Sequence, residues 1–73
     1  MQNPYPGNKI HPSAIIGKDV QMGKGNVIRA NCVLEGNIKI GDGNFFGAGV
    51  LLNHNVRIEN YNRFFPYVTI GFQ

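Results

Sequence analysis

The 73 residues hold enough chain for one small domain and no more. Charged residues are 15% of the chain, and no apolar run exceeds three residues, as in Val50-Leu51-Leu52, so neither a membrane-spanning helix nor a signal peptide fits. Ten Gly and ten Asn, against three Ala, three Leu and two Glu, starve helices and feed turns, which excludes a helical bundle. The net charge of +3 comes from Lys and Arg residues of which no two are adjacent. Such spacing gives a solvated surface with mild attraction for anions, not a nucleic-acid tail. Nucleic acid is therefore not an expected partner.

Residues 1–9 are rich in Pro, Asn and Gly, and Pro4-Tyr5-Pro6-Gly7 is suited to draping over whatever follows as a cap. From Ile10 onward the chain keeps a strict period of six. Ile10, Ile16, Met22, Ile28, Leu34, Ile40, Phe46, Leu52, Ile58, Phe64 and Ile70 are all large and apolar, without insertion or slip. With roughly 30% of residues that bulky, eleven in a row arise by chance on the order of once in a million. Six is neither the helical period nor the two-residue alternation of a strand; it is the step of a solenoid with a corner every six residues.

Side chains alternate along a strand, so a second inward column lies two residues earlier. It reads Ala14, Val20, Asn26, Cys32, Ile38, Asn44, Val50, Val56, Asn62 and Val68, mostly small or β-branched. Three hexads close one triangular coil if residues 18 apart stack. Asn8, Asn26, Asn44 and Asn62 recur at that interval, as do Asp19, Asn37 and Asn55 at a corner. Stacked amides can hydrogen-bond along the axis, and Asn tolerates the left-handed backbone of a sharp corner. The sequence predicts an all-β fold: residues 10–73 as a parallel β-helix of about three and a half triangular coils, at ~4.8 Å per layer.

These residues resemble the left-handed parallel β-helix of hexapeptide-repeat acyltransferases, and the hand of the coil rests on that resemblance. Within the superfamily the chain is most similar to the UDP-N-acetylglucosamine O-acyltransferases of lipid A biosynthesis. The likeness rests on Ile10-His11-Pro12-Ser13-Ala14 and on Arg63-Phe64-Phe65-Pro66-Tyr67-Val68-Thr69 before Ile70-Gly71. It implies a cytoplasmic homotrimer, with acyl-carrier protein and UDP-N-acetylglucosamine as partners of the full-length enzymes. The family's substrate-contacting loop and its catalytic His follow the segment matched here, so the chain corresponds to the first third of such an enzyme. Gln73 falls about two residues short of the loop glutamine and inherits no role. The expectation is a scaffold that is inactive alone. The alternatives are a stand-alone assembly module or the scaffold of another sugar-nucleotide acyl- or acetyltransferase.

The residues themselves offer little chemistry. A general base would have to be His11, beside Pro12 on the first coil, or His54, within the corner Leu52-Asn53-His54-Asn55. Both read as structural. Zinc on this fold needs histidines shared between subunits at one level, and His11 and His54 lie 43 apart, off the six-residue period. Gly23-Lys24-Gly25 and Gly41-Asp42-Gly43 look like fragments of phosphate loops but precede no helix, so they are corners. Inward Cys32 reads as packing. No catalytic residue, metal or cofactor is assigned.

The outward positions sort into three columns. Ile15, Val33, Leu51 and Thr69 form one; Val27 and Phe45, flanked by Lys9 and Arg63, form a second; Gln21, Lys39 and Arg57 form a polar third. One wet face and two partly apolar faces suit a three-fold ring, in which each subunit gives a different face to each neighbour.

Overall fold

The computed structural model describes residues 5–71. Eleven strands follow in order: β1 (Lys9–Ile10), β2 (Ile15–Ile16), β3 (Val20–Met22), β4 (Val27–Ile28), β5 (Val33–Glu35), β6 (Ile38–Ile40), β7 (Phe45–Phe46), β8 (Leu51–Asn53), β9 (Val56–Ile58), β10 (Arg63–Phe64) and β11 (Thr69–Ile70). Among the described residues there is no helix, and so none long and apolar enough to cross a membrane. Each strand is two or three residues long because a corner interrupts the chain once every hexad.

Every pairing is parallel, and each strand pairs with the one three elements away. The first sheet runs β1-β4-β7-β10, the second β2-β5-β8-β11 and the third β3-β6-β9. Registers step by 18: Lys9 opposite Val27, Val27 opposite Phe45, Phe45 opposite Arg63. The second sheet steps the same way through Ile15, Val33, Leu51 and Thr69. The fold is a β-solenoid of about three turns, consistent with a left-handed β-helix. The three outward columns of the sequence are its three faces.

The six-residue column fills the interior. Ile28, Leu34, Ile40, Phe46, Leu52 and Ile58 are buried, joined by Val20, Cys32, Ile38 and Val50 from the second column. Ile10, Ile16, Met22, Phe64 and Ile70 have the same orientation but remain half-buried, since coils cover them from one side only. Phe46 and Phe64 stack with ring centroids 4.8 Å apart and planes 5° from parallel, so consecutive coils share one aromatic pile.

Asparagines complete the interior. Asn26 and Asn44 are each 1% exposed. The backbone N–H and Nδ2 of Asn26 both donate to Asn8 Oδ1 at 2.9 Å. Asn44 repeats this on Asn26 Oδ1 at 2.8 and 3.1 Å, and Asn62 repeats it on Asn44 Oδ1 at the same distances. Each Nδ2 also reaches a corner carbonyl 15 residues on: Asn8 to Gly23, Asn26 to Gly41, Asn44 to Glu59. Among the described residues no buried side-chain nitrogen or oxygen lacks a partner.

The chain before the first strand hydrogen-bonds to the coils beside it. Gly25 donates its N–H to the Gly7 carbonyl, and Tyr5 Oη lies 3.5 Å from the Gly17 carbonyl. These two bonds join Tyr5 and Gly7 to the first two coils; Pro4, which the sequence places in the expected cap, lies outside the described residues. The first strand opens at Lys9, one residue inside the 1–9 segment.

Three substitutions test the frame. Ile40→Asp places a carboxylate at a position 5% exposed, and is expected to cost roughly 3 kcal/mol or more in urea denaturation. Lys39→Asp, on the outward side of the same strand, should change stability by under about 0.5 kcal/mol. Asn44→Ala strands several buried donors and acceptors, at about 1–3 kcal/mol for each left unpaired, so its loss should rival that of Ile40→Asp.

Candidate functional site

The positions that carry chemical groups are the corners and the outward faces. His11 stands exposed at the first corner between the first and second sheets. Its Nδ1 accepts from the Ser13 backbone N–H at 3.0 Å and lies 2.9 Å from Ser13 Oγ. Ser13 Oγ in turn accepts the Asn31 N–H at 2.9 Å, so the hydroxyl proton is directed at the imidazole. The ring therefore closes the His11-Pro12-Ser13 turn and ties it to the coil above. Nδ1 is used as an acceptor, and among the described residues no carboxylate is hydrogen-bonded to the ring.

His54 occupies a different corner, between the second and third sheets, on a later coil. It is exposed, has φ 76°, and donates its backbone N–H to the Glu35 carbonyl at 3.1 Å. Its place follows from backbone geometry: the stacked Gly36, one coil below, also has positive φ. The fold thus sets the two histidines at different corners of different coils. Among the described residues no three His, Cys, Asp or Glu side chains gather where they could hold a metal ion.

Cys32 is wholly buried, with Sγ donating to the Gly47 carbonyl at 3.1 Å. Burial pushes its thiol above the ordinary range, and nearby backbone N–H groups of Val50, Gly49 and Arg29 only partly oppose this. A thiol held protonated inside the coil is a poor nucleophile. Gln73 lies outside the described residues.

The glycine-flanked segments around Lys24 and Asp42 are corners, and they carry a second axial ladder that the sequence reading missed. Lys24 donates its backbone N–H to Asp42 Oδ1 at 2.9 Å, and Asp42 donates its own to Asn60 Oδ1 at 2.7 Å. The spacing of 24, 42 and 60 was the available signal; it went unread because Lys24 supplies no acceptor.

The three faces differ chemically. On the third face Gln21, Lys39 and Arg57 are exposed, and Arg57 pairs with Glu59 at 3.3 Å. Both partners are about three-quarters exposed, so the pair contributes little to stability. The second face shows Ile15, 56% exposed, below half-buried Val33 and Leu51. The first face combines half-buried Val27 and Phe45 with Arg63, whose guanidinium carbon lies 4.7 Å from the Phe45 ring centroid. Where this face turns toward the second, Arg29, Phe45, Arg63, Phe65 and Pro66 line a groove of about 280 Å³. Sequence reasoning placed Phe45 and Arg63 together but not Arg29, which belongs to no outward column.

No family model, curated protein or solved structure matches the chain.

Two measurements check the structural roles. Cys32 should resist iodoacetamide in the native protein and react at the rate of an ordinary thiol once urea unfolds it. His54→Gly should leave stability unchanged or raise it by up to about 1 kcal/mol, because glycine adopts positive φ without the penalty a side chain incurs. A clear loss on that substitution would show the imidazole itself to be in use.

Proposed function

We propose that this solenoid is the scaffold of an acyl-carrier-protein-dependent UDP-N-acetylglucosamine O-acyltransferase, contributing coils and subunit-contact faces and not the acid–base groups. The observation that carries the reading is the ungapped hexad register from Ile10 to Ile70. It opens on His11-Pro12-Ser13-Ala14 and closes on the aromatic stretch before Ile70-Gly71. The hydrogen bonds of His11 to Ser13 support a structural use of that opening segment. A second reading, a non-catalytic assembly module, is favoured by the lack of any oriented base among the described residues. In both, the first and second faces meet unlike faces of neighbouring copies and close a three-fold ring. Apolar columns stacked at each coil make continuous patches, which support such contacts better than scattered side chains do.

The reading is tested by acyl transfer from carrier protein to UDP-N-acetylglucosamine. Transfer to a sugar hydroxyl needs a base at the attacking oxygen and donors for the thioester oxyanion. Positioned proton transfer alone contributes about 10²–10⁴-fold. The 73-residue chain is therefore expected to show no turnover above background. Robust turnover that vanished in His54→Ala would overturn this and make His54 the base. Grafting Ile10–Gly71 in place of the matching coils of a family enzyme separates the two readings. A chimera that folds, assembles and turns over supports the acyltransferase scaffold; one that folds and assembles without turnover favours the assembly module.

Assembly is checked by sedimentation. Leu51→Lys and Phe45→Lys, each placing a charge in an apolar column, should dissociate the oligomer or abolish folding. Gln21→Lys, on the polar face, should leave the mass unchanged. A folded monomer from the unmutated chain would refute the three-fold ring.

A further inference from the structure

The groove between the first face and its following corner has a composition that packing does not account for. Its two cations, Arg29 and Arg63, come from coils two layers apart. No carboxylate lines it. The chain's four acids are elsewhere: Glu59 is paired with Arg57, Asp42 accepts the Lys24 N–H, Asp19 is exposed at the corner before β3, and Glu35 is exposed at the end of β5. The positive charge of the groove is thus uncompensated among the described residues.

Its floor is aromatic. The Arg63 guanidinium is held over the half-buried Phe45 ring, which fixes a side chain that would otherwise sample many rotamers. A guanidinium held by a ring through its carbon keeps its in-plane N–H donors, the fork that matches a phosphate or carboxylate edge. Phe65 is 71% exposed, an unusual fate for so large an apolar ring. Pro66, which has no backbone N–H, stiffens the wall beside it. A bare anion would find the guanidiniums but gain nothing from Phe65. A neutral ring would stack but leave two cations unanswered.

We propose that this groove binds a small molecule that joins a phosphate to a planar ring, the phosphate between Arg29 and Arg63 and the ring against Phe65. About 280 Å³ is just below the roughly 300–1,000 Å³ of small-molecule pockets, which limits the occupant to about the size of a mononucleotide. The site is non-covalent and needs no base, but Phe45 and Arg63 also belong to the face assigned to neighbouring copies in the three-fold ring. Sedimentation of the titrated sample separates the two, since an oligomer without shifts at these residues overturns the site and not the ring.

The experiment is an NMR titration of the ¹⁵N-labelled 73-residue chain with adenosine monophosphate, phenyl phosphate and inorganic phosphate at matched ionic strength. Shifts centred on Arg29, Phe45, Arg63 and Phe65 are expected with the two ring phosphates. Affinity should be roughly tenfold or more above inorganic phosphate, a difference of about one decade in Kd. Preference for adenosine monophosphate over phenyl phosphate would identify the source as a nucleotide; equality would show that any aryl phosphate suffices. Arg63→Gln and Phe65→Ser change exposed side chains, so both should keep the native circular dichroism while weakening the ring phosphates. Arg63→Gln should also weaken inorganic phosphate, and Phe65→Ser should not. The proposal is overturned if no ligand shifts these residues. It also fails if inorganic phosphate binds as tightly as the ring phosphates, or if both variants bind like the unmutated chain.

Discussion

Everything in this molecule depends on how the backbone's polar groups are satisfied inside a coil whose sides are only two or three residues long. Ladders between strands that short leave the chain at each corner without regular partners, and an unpaired buried amide costs about 1–3 kcal/mol. The stacked asparagines resolve this at the corner between the third and first sheets. Each Oδ1 receives two donors from the coil above, and each Nδ2 reaches a corner carbonyl there as well. The arrangement works only when asparagines fall 18 residues apart. A one-residue insertion would move an amide outward and bring the preceding corner residue, Gly25, Gly43 or Tyr61, into its place. The ladder therefore fixes the coil length, and the coil length fixes which residues share a face.

Two further features follow from that fixed length. An interior this narrow accepts one large side chain per side and layer, which is why the second inward column is small or β-branched wherever it is not Asn. It also lets aromatic rings stack in register when they occupy the same column, as Phe46 and Phe64 do. The outward side chains inherit the same register, so one substitution pattern repeated along the sequence becomes a continuous stripe. Chemical differences among the three faces are thus direct consequences of the 18-residue repeat.

That repeat was legible without coordinates because large apolar residues had no other way to be buried. The inward columns, the strand faces and the stacking of Asn8, Asn26, Asn44 and Asn62 were all readable from spacing. The corners were less so. Gly7, Gly25, Gly43 and Tyr61 are successive members of one stack, and all have positive φ. Asn31, Gly49 and Tyr67 form another. A tyrosine at such a position reads in sequence as an ordinary exposed aromatic, since its backbone state is set by the coil beneath it. The groove was hidden for a related reason. Arg29 and Arg63 are 34 residues apart, two short of two full coils, and line one groove because one follows its strand while the other begins one.

The two tyrosine corners show how the register couples distant residues. In the left-handed region a side chain incurs a penalty that glycine avoids. Tyr61 tolerates it while its ring rests on Gly43, where an added Cβ would come within 2.6 Å of ring carbons. Tyr67 rests in the same way on Gly49. The smallness of the lower residue is what gives the upper ring a seat, so the stacked residues act as a pair and neither is free to change alone. The glycine corners thus have two uses: each turns its own coil and leaves room for the coil above. Since the interior and corners are committed in this way, the outward faces and the groove at their margin are left as the places where binding specificity can reside.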